Sequence, residues 1–153
     1  MTFDDASAAV AVLKTQLETA LAGSYAATFA KWGGADVLLE DATTKTQRPS
    51  VRLALAGGDG EPGWGIGARR ARVDATVIAS GGGGAIKGAA NATPSDLLLS
   101  RALKAILRDK YALLRDAGLY ACTVSDAQER NEDTKNGLIH NNRHVIEFIY
   151  FGG

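Results

Sequence analysis

The sequence predicts an α+β fold in which one mostly antiparallel sheet carries two packed helices. Two segments, one near the N-terminus and one over 94–117, repeat apolar residues at helical spacing. Two others, 51–55 and 68–79, alternate apolar and other residues as strands do, and the chain ends in an apolar strand pattern. With 153 residues the chain can bury a core of its own, so we predict a single domain, 1–153, with the order α–β–β–β–α–β–β.

Composition and charge point to an ordinary globular protein. The chain is 46% hydrophobic and 22% charged, and its formal net charge is zero, which gives no reason to expect nucleic acid or an anionic membrane as a partner. Its single cysteine, Cys122, cannot form an internal disulfide. The acidic N-terminus and the lack of a membrane-length apolar run lead us to expect an intracellular protein, soluble when made.

Charge is distributed unevenly along the chain. Residues 1–62 carry 8 acids and 5 bases, residues 63–115 carry 3 acids and 9 bases, and residues 116–153 carry 6 acids and 3 bases. The three segments therefore have net charges of −3, +6 and −3. Such a pattern can close within the monomer, or it can place opposite charges on two faces of a subunit that binds its own copy head-to-tail.

The first helix is predicted to run from Asp4 or Asp5 to Ala22. Both aspartates can cap a helix N-terminus, and Gly23 suits its end. One buried stripe is expected at helical spacing: Val10, Leu13, Leu17 and Leu21.

A short apolar run, Ala35–Leu39, supplies the first β of the predicted order, and two neighbouring strands follow as an antiparallel pair. The first of the pair covers Val51–Leu55, and the second, Ala68–Ala79, alternates over an unusually long stretch. Alternation places Arg70 and Arg72 on one side of the second strand and Arg69 on the other, at a start that we expect to project beyond the sheet. The glycine-rich segments at about 56–67 and 80–92 are predicted to be flexible loops.

A second helix is predicted over Pro94–Ala117, ending at Gly118. A strand, Leu119–Ser125, and a charged, Asn-rich loop, Asp126–Asn142, should follow it. The expected buried side of this helix consists of Leu99, Leu103, Ile106, Leu113, Leu114 and Ala117.

The closing strand, Arg143–Phe151, is apolar on both sides, which predicts that both of its sides are covered. The second cover is either another copy of the chain or the chain's own first helix. The two apolar rows are Val145, Ile149 and Phe151 on one side, and Ile146, Phe148 and Tyr150 on the other.

No motif in the sequence predicts catalysis, a cofactor or a metal. The segment Gly63–Gly67 has the spacing GxGxG and precedes a strand, whereas a dinucleotide site needs GxGxxG between a strand and a helix. The glycine run that contains Lys87 lacks the GKS/T ending of a phosphate loop. His140 and His144 are four residues apart but lie by a strand, and Cys122 lies in an apolar strand pattern typical of an inert thiol.

Two charged segments are predicted to be contact surfaces. The densest basic cluster, Arg69, Arg70 and Arg72, suits carboxylates of a protein partner, or phosphates, although no aromatic residue is interleaved for stacking on bases. The loop 126–142 is predicted to be a mixed-charge contact loop through five residues: Glu129, Arg130, Glu132, Asp133 and Lys135.

The layout of the chain resembles the tail terminator (tail completion) proteins of long-tailed bacteriophages. Those proteins have an N-terminal helix, a mostly antiparallel sheet with long loops between strands, a second long helix on the sheet and two closing strands. The resemblance is architectural and covers nearly the whole chain. Its matching segments are Ala8–Ala22, Val51–Leu55, Arg70–Ala79, Ser95–Asp116, Leu119–Ser125 and Val145–Phe151.

The resemblance implies a structural virion protein with no enzymatic activity and no cofactor. Such a protein forms a ring, usually a hexamer, that caps the capsid-proximal end of the tail tube, stops polymerisation of the tube and contacts a neck protein. DNA passes through the channel, which Arg69, Arg70 and Arg72 would line unless they face the tube. The protein would be made in the host cytoplasm and end at the tail–neck junction. The alternatives are a head-completion or neck connector protein, a small α+β enzyme, and an oligomeric adaptor.

Overall fold

The computed structural model describes residues 2–22, 36–39, 50–80, 95–134 and 137–152. These residues confirm the predicted α+β class and order of elements, except that the second helix is divided in two. The elements are α1 (Ala6–Ala22), β1 (Asp36–Leu39), β2 (Ser50–Gly60), a 3₁₀ turn (Pro62–Trp64), β3 (Ala68–Ser80), α2 (Ser95–Asp109), α3 (Tyr111–Asp116), β4 (Tyr120–Thr134) and β5 (Gly137–Phe151).

The strands form one five-stranded sheet in the order β1-β2-β3-β5-β4. β1 runs parallel to β2, and every other neighbouring pair is antiparallel, including the predicted pair β2 and β3. The closing strand β5 is inserted between β3 and β4, so it is an interior strand of the sheet.

The three helices among the described residues pack on the same face of the sheet, which we call the covered face. α1 contacts β1 and β2, α2 contacts β3, β4 and β5, and α3 contacts β4. The predicted stripe of α1 is confirmed, since Val10, Leu13, Leu17 and Leu21 are buried. The sheet contributes to this core through its alternate residues: Val51, Leu53, Ala71, Val73, Ala75, Val77, Ile146 and Phe148.

Two sets of contacts hold the N-terminal residues in place, one to α1 and one to β5. The Asp5 carboxylate accepts a hydrogen bond from the backbone N–H of Ala8 at 2.8 Å, which is the predicted cap of α1. The N–H of Phe3 donates to the carbonyl of Phe151 at 2.9 Å, and the Phe3 ring meets the edge of Tyr150 at a centroid distance of 6.2 Å. The start of the chain is therefore attached to the end of β5.

The predicted long helix is interrupted at Lys110, which has φ −103° and ψ 22°. Leu103, Ile106 and Leu114 are buried as predicted, but Leu113 is 54% exposed and that part of the prediction was wrong. Neighbouring helical residues point about 100° apart, so α3 buries Leu114 and turns Leu113 toward solvent.

The predicted end of this helical segment at Gly118 is confirmed. Gly118 has φ +92°, its N–H bonds to Arg115 O at 3.0 Å, and the N–H of Leu119 bonds to Leu114 O at 2.9 Å. This pair of bonds is a Schellman motif, and Leu114 and Leu119 are both buried where the chain turns toward β4.

Two segments predicted to be loops are strands instead. β2 continues through the glycine-rich segment to Gly60, with a bulge between Leu55 and Gly57, because its backbone pairs with β3 as far as Arg69. A Cβ on Gly58 would lie 2.9 Å from the carbonyl oxygen of Arg70, so this close pairing requires glycine. The start of β3 does not project, since Arg69 pairs with Gly60 on one side and Tyr150 on the other.

The charged segment 126–142 is the second correction. β4 runs to Thr134 and β5 starts at Gly137, so the two strands form a long hairpin with Thr134 paired to Gly137. Backbone hydrogen bonds along β5 hold this segment as a strand without the apolar alternation that sequence patterns require. Ser80 belongs to β3, and the rest of the predicted loop 80–92 lies outside the described residues.

The two apolar rows of β5 are covered in different ways. Ile146, Phe148 and Tyr150 lie in the core beneath the helices. On the opposite face Ile149 is only 4% exposed, between its register neighbours Arg70 and Tyr120. An aromatic group covers that end of the face: Tyr120 lies 5.6 Å from Phe151 and 6.3 Å from Trp64 between ring centroids. The burial of Ile149 therefore requires neither a second copy nor α1.

Candidate interaction surface

The clearest candidate surface is the end of the β2–β3 hairpin, residues 57–72, which we call the hairpin end. The 3₁₀ turn starts at Pro62 and closes through the bond from Gly65 N–H to Pro62 O at 3.1 Å. Gly65 and Gly67 have φ +112° and +82°, which glycine adopts readily. The carbonyl of Gly67 accepts a bond of 2.8 Å from Gly152 N–H, so the turn is attached to the chain's end.

This turn holds two large apolar side chains in solvent. Trp64 is 46% exposed and Ile66 is fully exposed at 103%. Trp64 packs on one side against Tyr120, whereas Ile66 gains nothing from the fold of the monomer. A fully exposed isoleucine beside a half-exposed tryptophan is typical of a contact site.

The three arginines predicted to form a contact site are divided by the sheet. Arg70 and Arg72 lie on the face opposite the helices, which we call the polar face, and Arg69 lies toward the covered face, as the alternation predicted. Arg69 lines a groove of about 380 Å³ together with Asp4, Asp5 and Tyr150, beside the start of α1. The cluster is therefore two sites, one on each side of the sheet.

Arg70 and Arg72 are paired with carboxylates of the same chain. Arg70 Nε lies 2.8 Å from a carboxylate oxygen of Glu61, and Arg70 Nη1 lies 3.4 Å from one of Glu147. Arg72 Nε lies 3.2 Å from the other oxygen of Glu147. The sequence did not reveal these acids, because Glu147 comes beside Arg72 only once β5 is paired with β3.

These ion pairs shape the surface more than they stabilise the fold. Their side chains are 26–48% exposed, and exposed pairs contribute about 0–1 kcal/mol to stability. Together they turn a basic strand start into a surface with both signs of charge. The same polar face also carries Arg52, Asp74 and Arg143.

The second predicted contact set lies at the opposite end of the sheet. Four of these residues, Glu129, Arg130, Glu132 and Asp133, belong to the edge strand β4 near its end at Thr134, and Lys135 lies outside the described residues. β3 reaches this end of the sheet with Ser80 and the hairpin end with Ala68. The fold therefore does not bring the two predicted sets together.

The residues considered for catalysis or metal binding are separated or buried. His140 and His144 both belong to β5, and four residues along a strand span about 13 Å, too far for one metal ion. Among the described residues, no group of three His, Cys, Asp or Glu side chains is arranged to hold a metal. Gly63–Gly67 connects two antiparallel strands, which is not the strand-to-helix context of a nucleotide site.

A serine–histidine contact that the sequence did not reveal lies inside the core. His144 Nε2 is 2.9 Å from Ser100 Oγ, and the Asn142 amide donates to the same oxygen at 3.4 Å. A serine beside a histidine is the pairing of a nucleophile with its base. Ser100 and His144 are each only 4% exposed between α2 and the sheet, so this contact connects the helix to the sheet where a substrate does not reach.

Burial also suppresses the chemistry of Cys122. Its side chain packs against the core, and desolvation raises the pKa of the thiol to about 12 from its ordinary value of 9.0. At pH 8 the thiolate fraction is then on the order of a thousandfold below that of an ordinary cysteine.

We expect Cys122 to react with iodoacetamide far more slowly in the native protein at pH 8 than in urea. The folded protein keeps the thiol proton up to its raised pKa, whereas the unfolded chain loses it from about pH 9. The free energy of unfolding should therefore fall as pH rises from 9 to 12. Mass spectrometry after timed quenching measures the rate. Equal rates in buffer and urea would contradict the burial of this thiol.

Within the described residues, no helix has the length and apolar character needed to cross a membrane. A scan against models of known protein families finds no match for this chain, and a search of curated proteins finds none either.

Proposed function

We propose that this chain is the tail terminator of a long-tailed bacteriophage. In this role it forms a ring, six copies by resemblance, that caps the head-proximal end of the tail tube, stops its polymerisation and presents a surface to the neck. Its partners are further copies of itself, the tail tube protein and a neck protein, and DNA passes through the channel. Its place is the tail–neck junction of the virion.

The single observation that carries the proposal is the exposed hairpin end. Ile66 and Trp64 are held in solvent by a turn that is itself anchored to Gly152, beside the paired Arg70 and Arg72. An apolar centre next to charges of both signs is the composition of a protein contact. We assign this end to the tube.

The two ends of the sheet suit a subunit that contacts different partners at each end. The hairpin end and the Thr134–Gly137 end of β4 and β5 lie at opposite ends of the strands, so a subunit can meet the tube with one and the neck or a neighbour with the other. A ring needs head-to-tail contacts between unlike surfaces, and the two ends of the sheet are unlike. The architecture that the resemblance implies, helices on a mostly antiparallel sheet, supports the same role.

The proposal is tested by mixing the purified chain with tubes assembled from the major tail tube protein of the same genome. We expect the chain to pellet with the tubes at a ratio of about one ring per tube, and light scattering of the unbound fraction to give a ring or its free subunit. A neck connector, the nearest alternative, would bind portal or neck proteins and leave tubes unbound. Tubes that pellet without the chain would contradict the proposal.

A further inference from the structure

We infer that Glu61 and Glu147 are specificity-determining residues that keep the polar face from binding nucleic acid and reserve it for a protein partner. The inference rests on the proposed function for the identity of that partner, the tail tube. It assigns to the two acids a role in selecting what Arg70 and Arg72 bind.

The polar face has the cationic groups of a nucleic-acid site. Arg52, Arg70, Arg72 and Arg143 all lie on it, and three of them come from the adjacent strands β3 and β5. Arginines spaced along neighbouring strands suit the phosphates of a DNA backbone, and this electrostatic contact requires no particular base sequence. In a ring through which DNA passes, such a face would retain the DNA that it should release.

Two carboxylates already pair with the guanidinium groups of this face that would otherwise bind phosphate. Glu147 lies between the two arginines with an oxygen 3.4 Å from Arg70 and another 3.2 Å from Arg72, and Glu61 closes on Arg70 at 2.8 Å. A phosphate that approached either guanidinium would meet these acids at close range, and like charges in contact oppose binding. A protein surface with both signs of charge can pair with the acids and the arginines together.

Both acids can be neutralised without loss of the fold. Glu61 is 26% exposed and Glu147 is 32% exposed, so neither amide would be buried without water. The variant Glu61→Gln/Glu147→Gln keeps the shape of both side chains and removes two negative charges. Its matched control is Glu18→Gln/Asp109→Asn, which removes two acids that pair with Lys14 on α1 and Arg108 on α2.

The experiment measures binding of a short fluorescein-labelled DNA duplex by anisotropy over a series of salt concentrations. We expect Glu61→Gln/Glu147→Gln to bind DNA about tenfold more tightly than the unchanged protein at low salt. The plot of log affinity against log salt concentration should be steeper by about 0.9 for each arginine that becomes free to contact a phosphate. The control variant has the same net charge and should stay at the level of the unchanged protein.

Two results would overturn the inference: equal DNA binding by the double glutamine variant and the unchanged protein, or an equal gain in the control. Either would leave the tube assay untouched, since it does not use DNA. Conversely, a gain confined to the double glutamine variant would support the inference even if the unchanged protein failed to bind tubes. The two proposals therefore fail on different measurements.

Discussion

Phe148→Ala is expected to lower the free energy of unfolding by about 3–5 kcal/mol, because Phe148 heads the largest fully buried side chains among the described residues. Phe148 is 1% exposed, lies on the interior strand β5 and is paired in register with Ala71 of β3. Its removal leaves a cavity beneath the helices that the small neighbouring alanine cannot fill. Urea denaturation followed by tryptophan fluorescence and circular dichroism measures the change.

Leu113→Ala is the matched control for this prediction. Leu113 is 54% exposed on α3, so its truncation should change stability by no more than about 0.5 kcal/mol. The comparison tests the core and the break of the helix at Lys110 together. A loss of several kcal/mol from Leu113→Ala would favour the continuous helix that the sequence predicts, in which Leu113 is buried. A small loss from Phe148→Ala would contradict the position of β5.

Regular apolar periodicity explains why so much of the fold could be predicted. The apolar stripe of α1 and the long apolar alternation of β3 predict which side of each element is buried, and both predictions are confirmed. The glycine at 118 predicted the end of the helical segment, because its positive φ is a local requirement. These features depend on residues that are near one another in sequence.

Errors arose where the structure depends on distant pairing. The ends of β2 and β4 are strands because β3 and β5 lie beside them, and glycine or charged residues there carry no apolar pattern. The sequence predicts that the second row of β5 is covered by another copy or by α1; within the monomer Ile149 is already buried opposite Tyr120, whose ring lies beside Phe151 and Trp64.

The candidate site was predicted in part for the same reason. Arg70 and Arg72 were identified by their density in the sequence, and alternation placed them correctly on one side. Their pairing with Glu147, which is 75 residues from Arg72, could not be predicted without the strand register. The exposure of Ile66 depends on the 3₁₀ turn, which the glycine-rich sequence led us to describe as a flexible loop.

Ile66→Asp is expected to reduce binding to the tail tube about tenfold or more while leaving the fold intact. Ile66 is fully exposed, so the substitution loses no packing in the monomer and should change stability by no more than about 0.5 kcal/mol. At an interface, a charged group in place of an apolar anchor is left desolvated, and such positions typically account for ~2 kcal/mol or more of binding. Co-sedimentation with tubes over a series of tube concentrations measures the loss.

Ala11→Asp provides the control. It adds the same charge at a solvent-exposed position of α1, the helix that packs on the covered face of the sheet. It should bind tubes as the unchanged protein does. Equal binding by Ile66→Asp and the unchanged protein would remove Ile66 from the contact, and the Arg70→Glu/Arg72→Glu variant would then show whether the charged part of the hairpin end takes part. If both variants bind normally, the tube contact lies elsewhere on the chain.

The central claim, that the chain caps the growing end of a tail tube, is tested most directly by electron microscopy of tubes polymerised with and without the purified protein. The account predicts shorter tubes as the protein is added, each with a ring at one end and none along its length. Tubes of unchanged length with bare ends would contradict it.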